Sequence, residues 1–89
     1  MCVTRATITG VKNGSTIDAY TVLSCTADVD AYPPASYRWT NGVDGSQSTG
    51  QLFLLQPGTQ YKLTCTASNN FDRCYATDYV ELNSKQHLN

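Results

Sequence analysis

Four cysteines in a chain of 89 residues constrain this fold more than any other feature. A chain this short buries a modest share of its unfolded surface, so domains of this size often recruit disulfides, a metal or a partner to supplement the core. Cys2, Cys25, Cys65 and Cys74 are widely spaced with no Cys-x-x-Cys pair, and the one histidine, His87, lies in a polar C-terminal tail. Zinc sites usually draw paired ligands from tight turns, which this spacing does not supply. The expectation is two disulfides formed in an oxidising compartment, set against four buried thiols in a reducing one, with no metal or cofactor.

No second core fits this length, so one domain over residues 1–83 is expected, followed by a flexible tail at 84–89. Six basic and seven acidic side chains are scattered along the chain, which leaves no basic stripe for nucleic acid. The longest aliphatic and aromatic run is Leu52-Phe53-Leu54-Leu55. That is far short of the roughly 18 to 20 residues needed to cross a bilayer, so this segment is not expected to insert in a membrane. Met1 stands directly before Cys2 without a charged and apolar leader. The simplest account is a domain excised from a longer secreted or membrane protein, with Met1 added for expression.

The apolar residues do not recur at helical spacing. Thr, Val, Ile and Tyr are frequent, as half-buried strands prefer. Turn signals at Asn13-Gly14, Pro33-Pro34, Asn41-Gly42, Asp44-Gly45 and Pro57-Gly58 divide the chain into short segments. Strands are expected over 3–11, 16–27, 36–40, 51–55, 60–69 and 75–82. Alternation is clearest where Tyr61, Leu63, Cys65 and Ala67 share one face and Lys62, Thr64 and Thr66 the other. Similar two-residue spacing recurs at Leu23 and Cys25, Tyr37 and Trp39, Leu52 and Leu54, and Val80 and Leu82. The pattern predicts an all-β sandwich with one core face and one wet face per sheet.

Cys25 and Cys65 lie about 40 positions apart, with Trp39 between them. This set resembles the immunoglobulin superfamily, whose inter-sheet disulfide joins strands B and F beside a strand C tryptophan. The resemblance covers essentially the whole chain and implies a two-sheet antiparallel sandwich of about seven strands with Cys25 bonded to Cys65. The cysteine separation is short for a variable-type domain and favours the C2 or I type. The segments 32–39 and 65–69 are similar to stretches common in tandem immunoglobulin domains of cell-adhesion and siglec-like receptors. Two features depart from the family. Leu63 stands where a corner tyrosine is usual, with Tyr61 two residues earlier, and residues 55–61 resemble a fibronectin type III turn, which makes that sandwich the alternative. The stretch from Val11 to Cys25 is also long, so the connection there is expected to bulge.

In the resembled fold Cys2 and Cys74 fall at the same end. They are expected to pair and clamp the N-terminus to the turn at 69–73; the alternative is that Cys2 bonds a preceding domain. Asn13-Gly14-Ser15 is an N-glycosylation sequon on an exposed turn, or else an ordinary turn without sugar. Tyr32, Pro33, Phe71 and Arg73 are expected near that same end as a protein-contact patch, although a neighbouring domain in the same chain would attach there too. Asp28, Asp30 and Asp72 gather there as well but match no calcium loop and read as solvated. Arg38 and Lys62 are expected to point out from one sheet; siglecs read sialic acid through an arginine on the strand that the segment 60–69 resembles, and that segment offers Lys62 but no arginine, which argues against sialic acid. Nothing supports catalysis. No nucleophile elbow or phosphate loop occurs, and each cysteine has a disulfide role.

The resulting expectation is a non-catalytic extracellular domain of a receptor or adhesion protein, or the constant-like domain of a secreted immune effector. It would act in protein recognition or as a spacer, and a weak homodimer is compatible with it. Exposed apolar side chains on the sheet carrying Trp39 and Cys65 would favour recognition. The threonine-rich outward pattern at 62–66 leans towards the spacer.

Overall fold

The computed structural model describes residues 1–28, 31–70 and 73–86. These form eight strands in two sheets. The three-stranded sheet has the order β1 (Ala6–Thr9), β3 (Val22–Ala27), β6 (Leu52–Leu54). The five-stranded sheet has the order β2 (Ser15–Ile17), β8 (Cys74–Ser84), β7 (Gln60–Asn69), β4 (Ser36–Asn41), β5 (Gln47–Thr49). The chain is therefore a two-sheet β-sandwich, as its alternating pattern requires.

The core is built by the inward residues of β3, β4, β7 and β8. Leu23, Cys25, Trp39, Leu63, Cys65 and Ala67 are fully buried, and Val80 and Leu82 nearly so. Cys25 of β3 is bonded to Cys65 of β7, with Cα atoms 6.5 Å apart, so the bond joins the two sheets through the core. Trp39 is the direct register partner of Cys65. Its indole Nε1–H donates to the Gly50 carbonyl at 2.9 Å, so the polar edge is satisfied while the ring stays dry. Phe53 packs against both Trp39 and Tyr61, with ring centroids 5.2 and 5.6 Å apart.

Several expectations need correction. The single strand expected over 16–27 is two strands in different sheets. β2 runs parallel to β8, whereas the family pattern implied antiparallel pairing throughout. The chain then turns through Asp18–Thr21, where Tyr20 adopts φ 64° and its amide donates to the Leu55 carbonyl. The long stretch from Val11 to Cys25 thus holds a sheet-crossing strand rather than a bulge. β5 was not expected at all. It is only three residues long and polar, and pairs with β4 through the hairpin at Asn41–Ser46.

The inward phase of the Leu52–Leu55 run is the reverse of that expected. Leu52 and Leu54 are 64% and 46% exposed, whereas Leu55 is fully buried and Phe53 packs on the core. At the C-terminal end β8 continues through Ser84, one residue past the expected domain boundary. Ser84 is buried, and its hydroxyl donates to the Gln56 carbonyl while accepting from the Thr59 amide at 3.0 Å.

Candidate functional site

Three surfaces stand on this scaffold. The first is the end of the sandwich where the chain begins. Cys2 is bonded to Cys74, with Cα atoms 5.2 Å apart. Next to it, Asn69 at the end of β7 is buried, and each of its polar atoms is used. Its Oδ1 accepts from the Val3 amide at 3.2 Å, and its Nδ2 donates to the carbonyls of Met1 at 2.8 Å and Pro33 at 2.9 Å. Met1 pairs with Tyr32 through its ammonium and its carbonyl. One side chain thus ties together the N-terminal segment, the 32–34 turn and the end of β7, and nothing in the sequence pattern singled it out.

Tyr32 is 74% exposed, Pro33 is exposed, and Arg73 is exposed at the same end, beside Cys74. Phe71, the fourth residue of the expected contact patch, lies outside the described residues, as do Asp30 and Asp72 of the acidic cluster. Asp28 serves a local structural purpose. Its carboxylate accepts from the Thr4 hydroxyl, from the Thr4 amide at 3.0 and 3.1 Å, and from the Arg5 amide at 2.9 Å. The Thr4 hydroxyl first, and the Arg5 amide next, hold its pKa down at about 2. The carboxylate is therefore committed to fastening the approach to β1.

The second surface is the outer face of the five-stranded sheet. Along β7 it presents Lys62, Thr64, Thr66 and Ser68; β8 contributes Tyr75, Thr77, Tyr79 and Glu81. Lys62 stands opposite Glu81, 4.0 Å away and half exposed, a pairing of little energetic weight. Tyr75 is 66% exposed and Tyr79 51%. Partial desolvation, and then the neighbouring Glu81 carboxylate, raise the Tyr79 phenol above its ordinary pKa. An open concavity of about 620 Å³ runs over β4, β7 and the start of β8, lined by Arg38, Thr49, Gly50, Thr66, Ser68 and Tyr75 among others. Arg38 has no ion pair among the described residues. Arg38 and Lys62 do share this face, and the two exposed tyrosines interrupt the expected run of threonine and lysine.

The third surface is the outer face of the three-stranded sheet, where Val22 pairs with Leu54 and Ser24 with Leu52. These three apolar side chains stand beside Thr7, Thr9 and Thr26, with no charged residue among the outward positions of the three strands. Asn13 is exposed on the turn that leads into β2.

These arrangements offer contact area and hydrogen-bonding groups. Among the described residues no three His, Cys, Asp or Glu side chains gather as metal ligands. A scan of protein-family models and a search of curated proteins return no match to the chain.

Proposed function

We propose that this chain is a non-catalytic immunoglobulin-like domain of the C2 or I type, from the extracellular part of a receptor or adhesion protein, and that it works by protein recognition. The observation that carries the reading is the inter-sheet Cys25–Cys65 bond with fully buried Trp39 as the register partner of Cys65. That constellation is a hallmark of the immunoglobulin superfamily, and fibronectin type III domains usually lack it, which supports the reading. The two disulfides suggest an oxidising environment, which favours an extracellular location.

Recognition is favoured over a spacer role by the outer face of the five-stranded sheet. Tyr75 and Tyr79 offer large, stiff contact area with a polar tip, and aromatic residues and arginine are the types enriched where binding energy concentrates. Arg38, free of an ion pair among the described residues, adds an unspent fork of donors beside Tyr75 in the concavity.

The test is a binding assay with beads that display many copies of the domain. They are offered to cells expressing individual cell-surface ectodomains and to beads carrying the domain itself. Saturable binding that drops at least tenfold in Arg38→Ala and Tyr75→Ala, both folded by circular dichroism, supports recognition through this face. Binding that survives both substitutions moves recognition to another surface, and no saturable binding across the panel returns the reading to a spacer.

A further inference from the structure

We infer that Asn13 is a site of N-linked glycosylation, and that the sugar stands off the outer edge of β2, away from the concavity of the five-stranded sheet. The inference takes only the secretory route from the proposed function and is independent of what the domain binds.

The structure adds three observations to the tripeptide Asn13-Gly14-Ser15. First, the turn is clamped to β8 by two bonds. The Gly14 amide donates to the Glu81 carbonyl at 2.7 Å, and the Glu81 amide donates to Asn13 Oδ1 at 2.8 Å. The side-chain oxygen is therefore occupied on the protein side. Nδ2, on the other side of the same planar amide, makes no hydrogen bond to any described residue. An N-glycosidic link replaces one hydrogen on Nδ2 and leaves Oδ1 an acceptor, so the modified side chain keeps its bond to Glu81.

Second, there is room. Gly14 adopts φ +82°, and a Cβ built there would meet nothing within 4 Å. Asn13 itself is exposed. Third, the position is useful. Among the described residues β2 ends its sheet, with β8 on one side and no strand on the other. A free edge is a template for pairing with another chain, and a bulky solvated group beside it blocks that pairing. Glu81 lies six residues along β8 from Tyr75, about 20 Å at strand spacing, so the point of attachment is well separated from the concavity.

The covalent step balances with a donor of the secretory pathway, an oligosaccharide linked through pyrophosphate to a polyprenyl lipid. Nδ2 bonds to the anomeric carbon, the bond from that carbon to the pyrophosphate oxygen breaks, the lipid pyrophosphate leaves, and Nδ2 gives up one proton. No oxidant or reductant is involved. The Ser15 hydroxyl completes the tripeptide that the transferase reads.

The full 89-residue chain is expressed behind a secretion leader in a eukaryotic cell line, and its intact mass is measured before and after treatment with peptide N-glycosidase. Material retained in the cells is analysed in the same way. The expected result is a heterogeneous mass that collapses on treatment, absent from Asn13→Gln and from Ser15→Ala. Ser15→Ala retains the Asn13 clamp and so separates loss of the sugar from loss of the fold. Disulfide-bonded chain at its bare mass would overturn the assignment, whatever the bead assay shows. If the glycan is present, bead binding by Ser15→Ala equal to that of the parent supports the placement of the sugar, and a change in that binding would overturn the placement.

Discussion

Truncating Asn69 should destabilise the domain more than any single hydrogen bond would account for, because three bonds end on that side chain. In Asn69→Ala the Val3 amide loses its acceptor inside the structure, which costs about 1–3 kcal/mol. The Met1 and Pro33 carbonyls belong to exposed residues and regain water, so each loses about 0.5 kcal/mol. The sum, about 3 kcal/mol, is a large part of the roughly 5–13 kcal/mol that a domain of this length holds. With both disulfides intact, a urea titration followed by tryptophan fluorescence should show the midpoint falling by about 3 M, for a slope near 1 kcal/mol/M. Asn69→Asp keeps the acceptor for Val3 but faces two carbonyls with a carboxylate, so it should lose more at neutral pH and recover part of the loss when acidified. Hydrogen exchange at the Val3 amide should quicken in Asn69→Ala. A midpoint shift below about 0.5 M with unchanged Val3 protection would refute the reasoning, since the Cys2–Cys74 bond would then be holding this end alone.

Replacing both Cys25 and Cys65 by alanine should cost about 4 kcal/mol, the chain-entropy value for a loop of 40 residues, read as a lowered urea midpoint. Asp28 makes stability depend on acid: its folded pKa of about 2 lies below the ordinary 3.8, so its contribution is full above about pH 4 and is lost as pH falls towards 2. Thermal melts between pH 2 and 6 should show that acid limb in the parent, flattened in Asp28→Asn. Tyr61→Phe leaves the Gln56 amide without its acceptor and should lower stability by about 1 kcal/mol in the same titration, with the fold unchanged by circular dichroism.

The legible parts of this fold are those where side-chain period and burial agree. Tyr61, Leu63, Cys65 and Ala67 alternate cleanly, and all four are buried. The run Leu52–Leu55 offers no such contrast, because four apolar residues in a row fit either phase. Phe53 turns inward to meet Trp39 and Tyr61, and that contact is made across the fold rather than along the chain. β2 and β3 read as one strand because no glycine or proline lies between them, and the break is made by Tyr20 in a left-handed conformation that tyrosine rarely adopts. At the candidate surfaces, Arg38 and Asn13 were visible from charge and from a short motif. Asn69 was not, since its three bonds reach residues 36 to 68 positions away. Tyr75 and Tyr79 were assigned to a strand, but their weight on the outer face emerges only when Thr64, Thr66 and Ser68 are laid beside them in register.

The Cys2–Cys74 bond has a mechanical consequence. It joins the second residue to the first residue of β8, across a sequence separation of 72, and β8 then runs 11 residues to Ser84 near the opposite terminus. A stretching force applied between residues 2 and 86 enters at Cys2, crosses the sulfur bridge and leaves along a strand that is already extended. Residues 3–73 form a closed loop outside that path and carry almost none of the tension. Until the bridge is reduced, a pulled molecule can lengthen little, and after its reduction the buried Cys25–Cys65 bond still holds residues 26–64 in a closed loop.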